Sequence, residues 1–295
     1  MTLEQLRIFV AVAERQHVTR AARALNLTQS AVSAAVTALE TGHGVALLDR
    51  VGRGVVLNPA GEIFLAEARA VLARAALAES ALADLSGLDR GRLSIHASQT
   101  IASYWLPGRL ARFHAAHPGI ALEVAIGNTA QVVRAVAQGE AELGLVEGAV
   151  EDPALSREAV ARDRLCLVVG QDHAWSKRAP SGAADLKAVS WVVREEGSGT
   201  RSALEAALRA FGLVFADLTL AMVLPANEAV RSAVEAGAGA AVMSRSVAAS
   251  GIEAGRLVEV AMTLPERDFI LLRHKQRHRT RAADAFADLV RVFDR

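Results

Sequence analysis

The stretch Val18 to Glu40, V-T-R-A-A-R-A-L-N-L-T-Q-S-A-V-S-A-A-V-T-A-L-E, decides how the chain is read. It predicts two short helices joined by a tight turn. Thr19 is placed to cap the first, Arg20 to Leu25, whose interior is mostly alanine, the best helix former, with Ala21, Ala22 and Leu25 turned inward. Asn26 ends it, because asparagine tolerates the left-handed conformation that a helix terminus commonly needs. Thr28 offers its hydroxyl as the next N-cap. Val32, Val36 and Leu39 then fall at i, i+4 and i+7 and form one apolar stripe. The opposite face carries Gln29, Ser30, Ser33 and Thr37, short uncharged side chains that suit a helix lying against base edges in a major groove.

A helical hairpin in an all-α core would show the same pattern, and the flanking residues separate the two readings. Upstream, Thr2-Leu3-Glu4-Gln5 is a capping box that opens a helix with Leu3, Leu6, Val10 and Ala13 on one face. Downstream, Val45 to Leu48 and Val55 to Leu57 are short apolar runs around Gly52-Arg53-Gly54, a hairpin whose glycines permit positive φ. Three helices and a basic-tipped hairpin make a winged helix-turn-helix over residues 1–58. Thr19, Arg20, Thr28, Gln29, Ser30, Ser33, Thr37, Arg50 and Arg53 are its candidate DNA contacts.

Residues 1–61, with T-R-A-A-R-A-L-N-L-T-Q-S-A-V-S and L-L-D-R-V-G-R-G-V-V-L-N-P-A-G, resemble the N-terminal domain of the LysR-type transcriptional regulators. Ser30 stands where that family often has proline, and Ala34 where it often has a basic residue. The resemblance implies a regulator that binds an interrupted palindrome of double-stranded DNA as a homodimer or homotetramer. It also implies an effector domain of the periplasmic-binding type, whose chain crosses twice between two lobes.

Composition sets the outer bounds. The chain has 295 residues, 52% of them hydrophobic, and a formal net charge of +1. That length suits about two or three domains with a sizeable core. No uninterrupted apolar run could span a bilayer, and Glu4, Gln5 and Arg7 interrupt any signal-peptide core, so a cytoplasmic protein without a membrane partner is expected. The balanced charge leaves the DNA-binding argument to local geometry. The single cysteine, Cys166, lies in the apolar run Leu165 to Val169 and is expected to be buried and inert. His114 with His117 and His274 with His278 share helical spacings without an obvious third ligand, so neither a metal nor another cofactor is expected.

Beyond the wing, Asn58-Pro59 reads as an N-cap and first helical residue. In the linker helix that follows, assigned to residues 59–88, Phe64, Ala68, Val71, Ala75, Ala78, Leu82 and Leu85 alternate steps of four and three. The seam predicts pairing with a second copy, and its alanines permit close approach. The rival reading is an amphipathic helix packed on its own domain.

Ser86 to Gly91 is a polar hinge, after which strands and helices alternate through residues 91–295. Strands at Leu93 to Ala97, Ile120 to Ile126 and Leu143 to Val146 enclose helices from about Thr100 and from Asn128-Thr129, the pattern of a parallel sheet. A second set follows, with strands at Leu165 to Val169, Trp191 to Val193, Leu218 to Val223 and Ala240 to Ser244, and helices from Thr200 and Asn227. Phe269 to Leu272 and Arg281 to Phe293 close the chain. The expected fold is α/β and two-lobed, with lobe I at about 91–162 and 266–295 and lobe II at about 163–265.

Ligands of such sheets bind beyond the strand ends, where loops lead into helices. Those positions hold Ser98, Gln99, Thr100, Asn128, Thr129, Glu147, Gly197, Ser198, Gly199, Thr200 and Asn227. In Glu196-Gly197-Ser198-Gly199-Thr200-Arg201, glycines flank a serine at a helix start, a pattern suited to an anion. It lacks the spacing and lysine of a nucleoside-triphosphate loop. With Asn128-Thr129 and Val146-Glu147-Gly148, it resembles the branch that holds regulators of sulfur assimilation and carbon fixation. That resemblance implies a small oxyanion or a phosphorylated metabolite as effector, whereas Glu147 would repel an anion.

The rival functions are a lobed enzyme with Ser98 or Ser198 as nucleophile, which lacks a G-x-S-x-G elbow, and a plain solute-binding protein. No residue is assigned a catalytic role. The basic cluster Arg273 to Arg281 has no interleaved aromatics and reads as a solvated surface.

Overall fold

The computed structural model describes residues 1–52, 54–84 and 91–292. They divide into two compact units, with Met1–Leu82 in the first and most of the chain from Ala83 onward in the second.

The first unit holds α1 (Leu3–Arg15), α2 (Val18–Ala24), α3 (Gln29–His43), the strands β1 (Leu48–Val51) and β2 (Gly54–Leu57), and α4 (Pro59–Asp84). Its local signals act as expected at three helix ends. The Thr2 hydroxyl accepts from the Gln5 N–H at 3.2 Å while the Gln5 side chain accepts from the Thr2 N–H at 2.9 Å, closing the capping box. Thr28 Oγ1 accepts from the Ala31 N–H at 3.2 Å and starts α3. Asn58 Oδ1 accepts from the Gly61 N–H at 2.9 Å and starts α4. Asn26 takes φ +56°, the left-handed turn that separates α2 from α3.

Three local expectations need correction. Thr19 does not cap α2: the helix begins at Val18, and its N-cap, His17, makes no side-chain cap bond. Leu3 is exposed, while Leu6, Ile8, Phe9 and Val12 of α1 face inward. The first wing strand is Leu48–Val51, not Val45 to Leu48; Val45 is exposed, and the Glu40 carboxylate holds the Leu47 and Leu48 N–H groups.

The seam along α4 is divided. Phe64 lies 5.1 Å from Phe9 between ring centroids, and Ala68 is 1% exposed in the cluster of Leu6, Phe9, Ala13 and Leu39. These two residues therefore complete their own domain's core, as the rival reading required. Val71 and Leu82 are exposed, at 40% and 71%. Arg53, Leu85 and the hinge residues 86–90 lie outside the described residues.

The second unit has two five-stranded sheets. Lobe I contains β3 (Gly91–Ser98), α5 (Leu106–Ala116), β4 (Ile120–Gly127), α6 (Thr129–Gln138), β5 (Leu143–Glu147) and β6 (Leu155–Asp163). Lobe II contains β7 (Leu165–Gly170), α7 (Ala183–Ala188), β8 (Ser190–Arg194), α8 (Gly199–Arg209), β9 (Thr219–Leu224), α9 (Asn227–Glu235), β10 (Ala240–Ser244), α10 (Arg245–Glu253) and β11 (Leu257–Val260). The chain returns to lobe I with β12 (Arg267–His274) and α11 (Arg281–Val292). The sheet orders are β4-β3-β5-β12-β6 and β11-β7-β10-β8-β9.

Neither sheet is purely parallel. β3 pairs in parallel with β4 and β5, but β12 runs antiparallel to β5 and β6. In lobe II, β10 is parallel to β8 and antiparallel to β7. The reason is topological: β7 and β12 each enter directly from the other lobe with no crossover helix before them, and each runs antiparallel to both of its neighbours. Each lobe has its own core, around Phe113 and Phe286 in lobe I and around Trp175 and Trp191 in lobe II.

Candidate functional site

The strand ends of both lobes converge on one polar site. Ser98, Thr100, Thr129, Glu147, Ser198, Thr200 and Asn227 are each at most 8% exposed. Desolvated polar groups cost stability unless they are paired, so a web of this size must be bonded throughout. Gln99, Asn128 and Gly197 are half-buried at its margin.

Lobe I supplies the first layer. Ser98, at the end of β3, donates its hydroxyl to the Glu147 carboxylate at the end of β5. Thr129 opens α6 and donates to the Glu147 carbonyl at 2.9 Å. Asn128 and Gln131 exchange bonds in a capping box, through Asn128 Oδ1 at 3.0 Å and Gln131 Oε1 at 2.8 Å. After Ser98 the chain forms a π-helical turn, Ile101–Trp105, before α5, where a regular helix from Thr100 was expected. Such turns concentrate at functional sites because the extra residue redirects side chains.

Lobe II brings the glycine loop. Ser198 caps α8, accepting from the Thr200 N–H at 3.3 Å, while the Ser198 N–H donates to the Glu195 carbonyl at 3.3 Å. Two of the N–H groups expected to face a ligand are thus engaged inside the loop. Gly199 is needed for space: a Cβ there would stand 2.2 Å from the Glu147 carbonyl oxygen. Asn227 is not the cap of α9, whose N-cap is Ala226. Its amide instead crosses between lobes, donating to Thr100 Oγ1 at 3.0 Å and accepting from Arg194, while its N–H donates to Gln99 Oε1 at 2.9 Å.

Two buried arginines organise this web, and neither was anticipated from sequence. Arg267 opens β12 and faces Asp163, the last residue of β6, in register across the lobe crossing. Its Nη2 stands 2.5 Å and its Nε 2.6 Å from Asp163 Oδ2, and its Nη1 donates to Thr200 Oγ1 at 3.3 Å and lies 3.9 Å from Glu147 Oε1. The other Asp163 oxygen accepts from the Ser244 hydroxyl at 2.6 Å. Arg194 ends β8 and grips Glu195 with two bonds, at 2.8 and 3.0 Å. Glu195 also accepts from Asn128 of lobe I at 3.1 Å. Burial pushes the Glu195 carboxyl up, but the bonds from Arg194 and Asn128 outweigh it and hold the group below the usual carboxylate range.

At the rim, Tyr104 of lobe I donates its phenol to Glu228 of lobe II at 3.1 Å. Burial and the adjacent carboxylate raise its pKa, so the hydroxyl remains a donor at neutral pH.

Other sequence features settle elsewhere. Cys166 is 2% exposed and its thiol is pushed up to about 12, first by burial and then by Glu259, so it stays protonated. In the basic cluster, Arg273 pairs with Asp284, Lys275 donates to the Pro153 carbonyl, and Arg277 donates to the Val136 and Ala137 carbonyls near the end of α6. These are structural contacts. Among the described residues no group of three His, Cys, Asp or Glu side chains is placed to hold a metal, and no helix is long and apolar enough to cross a membrane.

In the first unit Gln29, Ser30 and Thr37 lie exposed along α3 and Ser33 is half-buried beside them. Arg20 is exposed on α2, Thr28 at the α3 cap and Arg50 on β1, while Thr19 is half-buried.

Residues 3–62 match the bacterial regulatory helix-turn-helix model of the lysR family, and residues 86–293 match the LysR substrate binding domain. The chain belongs to the LysR family. It is 34% identical over 290 residues to the uncharacterized HTH-type regulator YeiE of Escherichia coli K12, covering 98% of this chain and 96% of the relative. It is 33% identical over 292 residues to the RuBisCO operon transcriptional regulator of Allochromatium vinosum, covering 98% and 95%. The fold matches full-length CbnR complexed with target DNA, with a TM-score of 0.72 at 24% identity and 99% of both chains covered. This LysR-family chain is therefore a DNA-binding transcriptional regulator with an effector-binding domain.

Proposed function

We propose that a small anion, either an inorganic oxyanion or a phosphorylated metabolite, binds among the buried strand ends of the LysR-type effector domain and thereby alters how the protein engages DNA. The observation that carries this reading is the meeting of Ser98, Thr100 and Thr129 from lobe I with Ser198, Thr200 and Asn227 from lobe II, beside Arg194 and Arg267. Hydroxyls, amides and guanidinium groups are donors to an anion, and their origin in both lobes lets ligand occupancy be felt as a change in lobe angle. An enzyme reading is weaker. Ser98 is bonded to a carboxylate and Ser198 serves as a helix cap, neither being the arrangement of a base-activated nucleophile.

On the DNA side, this reading has Gln29, Ser30, Ser33 and Thr37 of α3 face the major groove, with Arg20, Thr28, Arg50 and Arg53 as further DNA contacts. Gln29→Ala should cost about 1 to 3 kcal/mol on a selected genomic site and little on random duplex, while Arg53→Ala should weaken both and reduce the salt slope by about one. Fluorescence anisotropy on both duplexes decides. Equal losses on both for Gln29→Ala would remove α3 from base reading.

In this reading Val71, Ala75, Ala78 and Leu82 join two chains along α4, and dimers pair to a tetramer. A carboxylate at position 71 would be desolvated against the partner helix. Val71→Asp should therefore lower the mass found by light scattering and abolish binding to a two-half-site operator. An unchanged mass would place the dimer contact elsewhere.

A further inference from the structure

The cleft contains more carboxylate than its arginines neutralise. Arg194 is held by Glu195 through two bonds, and Arg267 by Asp163 at 2.5 Å. Glu147, 3% exposed, shares Arg267 with Asp163 at the longer distance of 3.9 Å. The Ser98 hydroxyl donates to it, and Thr129 and Gly199 close on its backbone. A ligand among these donors must therefore approach the buried Glu147 carboxyl, whose oxygens are acceptors and whose guanidinium partner is shared with Asp163. Two acceptors facing each other repel, whereas an O–H between them turns the same contact into a charge-assisted hydrogen bond.

We infer that the effector is an oxyanion that carries its own proton, such as hydrogen phosphate, a singly protonated phosphate ester or hydrogen sulfite, and that Glu147 is the specificity-determining residue that accepts that proton's hydrogen bond. This rests on the reading of the cleft as an anion site and narrows it. Sulfate, which bears no proton at neutral pH, offers equal size and geometry but leaves Glu147 facing a bare oxygen. Sites built to bond a ligand hydroxyl reject analogues lacking it by large factors, because the buried partner is left unpaired.

The test is calorimetric titration of the full chain at neutral pH and constant ionic strength, with inorganic phosphate and with sulfate, for the parent and for Glu147→Gln. The parent should bind phosphate at least about a hundredfold more tightly than sulfate. Glu147→Gln, whose amide can donate, should bring the two within about threefold of each other. A parent that binds sulfate as well as phosphate overturns the inference and leaves the anion site standing, as does a folded Glu147→Gln that keeps the parent's ratio. If neither anion binds parent or variant, the inference is overturned, and the anion reading is then decided by a wider panel of inorganic and phosphorylated anions. The parent's ratio decides the matter even if the variant does not fold.

Discussion

Arg267→Met should destabilise the effector domain by about 3 to 5 kcal/mol, the usual consequence of removing one partner of a buried ion pair. Both side chains of the pair are at most 5% exposed, so water cannot replace the guanidinium. Asp163 would keep the Ser244 hydroxyl and lose its charged donor, and Thr200 Oγ1 and Glu147 would lose the cation between them. Because Arg267 and Asp163 face each other on β12 and β6, beside the connections between lobes, the damage should centre on the hinge. Urea unfolding followed by tryptophan fluorescence measures it, since Trp105, Trp175 and Trp191 all belong to the second unit. Combining Arg267→Met with Asp163→Leu should recover most of the loss, because an apolar pair of similar volume carries no unpaired charge. A single variant within about 1 kcal/mol of the parent would show that the pair is not a fastener of the hinge.

Arg194→Met should cost about 3 kcal/mol, less than Arg267→Met for a definite reason. Its main partner, Glu195, is 25% exposed at the side chain and can regain water when the guanidinium is removed. Asn227 cannot: it is 2% exposed, and its Oδ1 would lose the Arg194 donor inside the cleft. The same urea experiment applies. A second consequence concerns acid stability. Glu195 has a folded-state pKa below its ordinary value, so its contribution is present above the ordinary carboxylate range and is lost as pH falls through the lowered folded value. Arg194→Met removes the largest cause of that lowering, so the parent's excess stability over the variant should shrink on acidification. A difference that grows as pH falls would contradict the pairing.

The sequence was most legible where a decision is local. Thr28, Asn26 and Asn58 act within four residues of themselves, and the stripe Val32, Val36 and Leu39 needs one helix to be read; all appear as expected. The strand-end loops of the effector domain were legible for a related reason: a polar cluster after an apolar run, at the start of a helix, marks where a sheet presents its edge. Arg267 was not, because its meaning comes from Asp163, 104 positions away. The sequence does not reveal β6 because only Leu155 and Val160 are buried apolar residues in L-S-R-E-A-V-A-R-D and Arg157 and Arg162 are exposed, leaving little apolar signal. Asn227 looked like a cap because its residue type favours caps, yet the opposite lobe offered its amide better partners. The heptad seam misassigned Phe64 and Ala68 because a helix packed on its own domain and a helix paired with a copy show the same spacing; three-dimensional contact with Phe9 and Leu6 separates them.

The proposed binding of a small anion in the cleft between the lobes can be tested without knowing the effector. Its most direct test is a thermal-shift panel of inorganic and phosphorylated anions on the full chain at constant ionic strength, with Ser198→Leu and Thr200→Leu beside the parent. An anion at a hundred times its dissociation constant stabilises the folded state by about 2.7 kcal/mol, which for a domain of this size raises the midpoint by roughly 5 to 10 °C. At least one anion should raise the parent's midpoint by that amount, and both leucine variants should fold but lose the response. A panel in which no anion moves the parent, or in which the Ser198 and Thr200 variants respond as the parent does, would contradict the proposed binding.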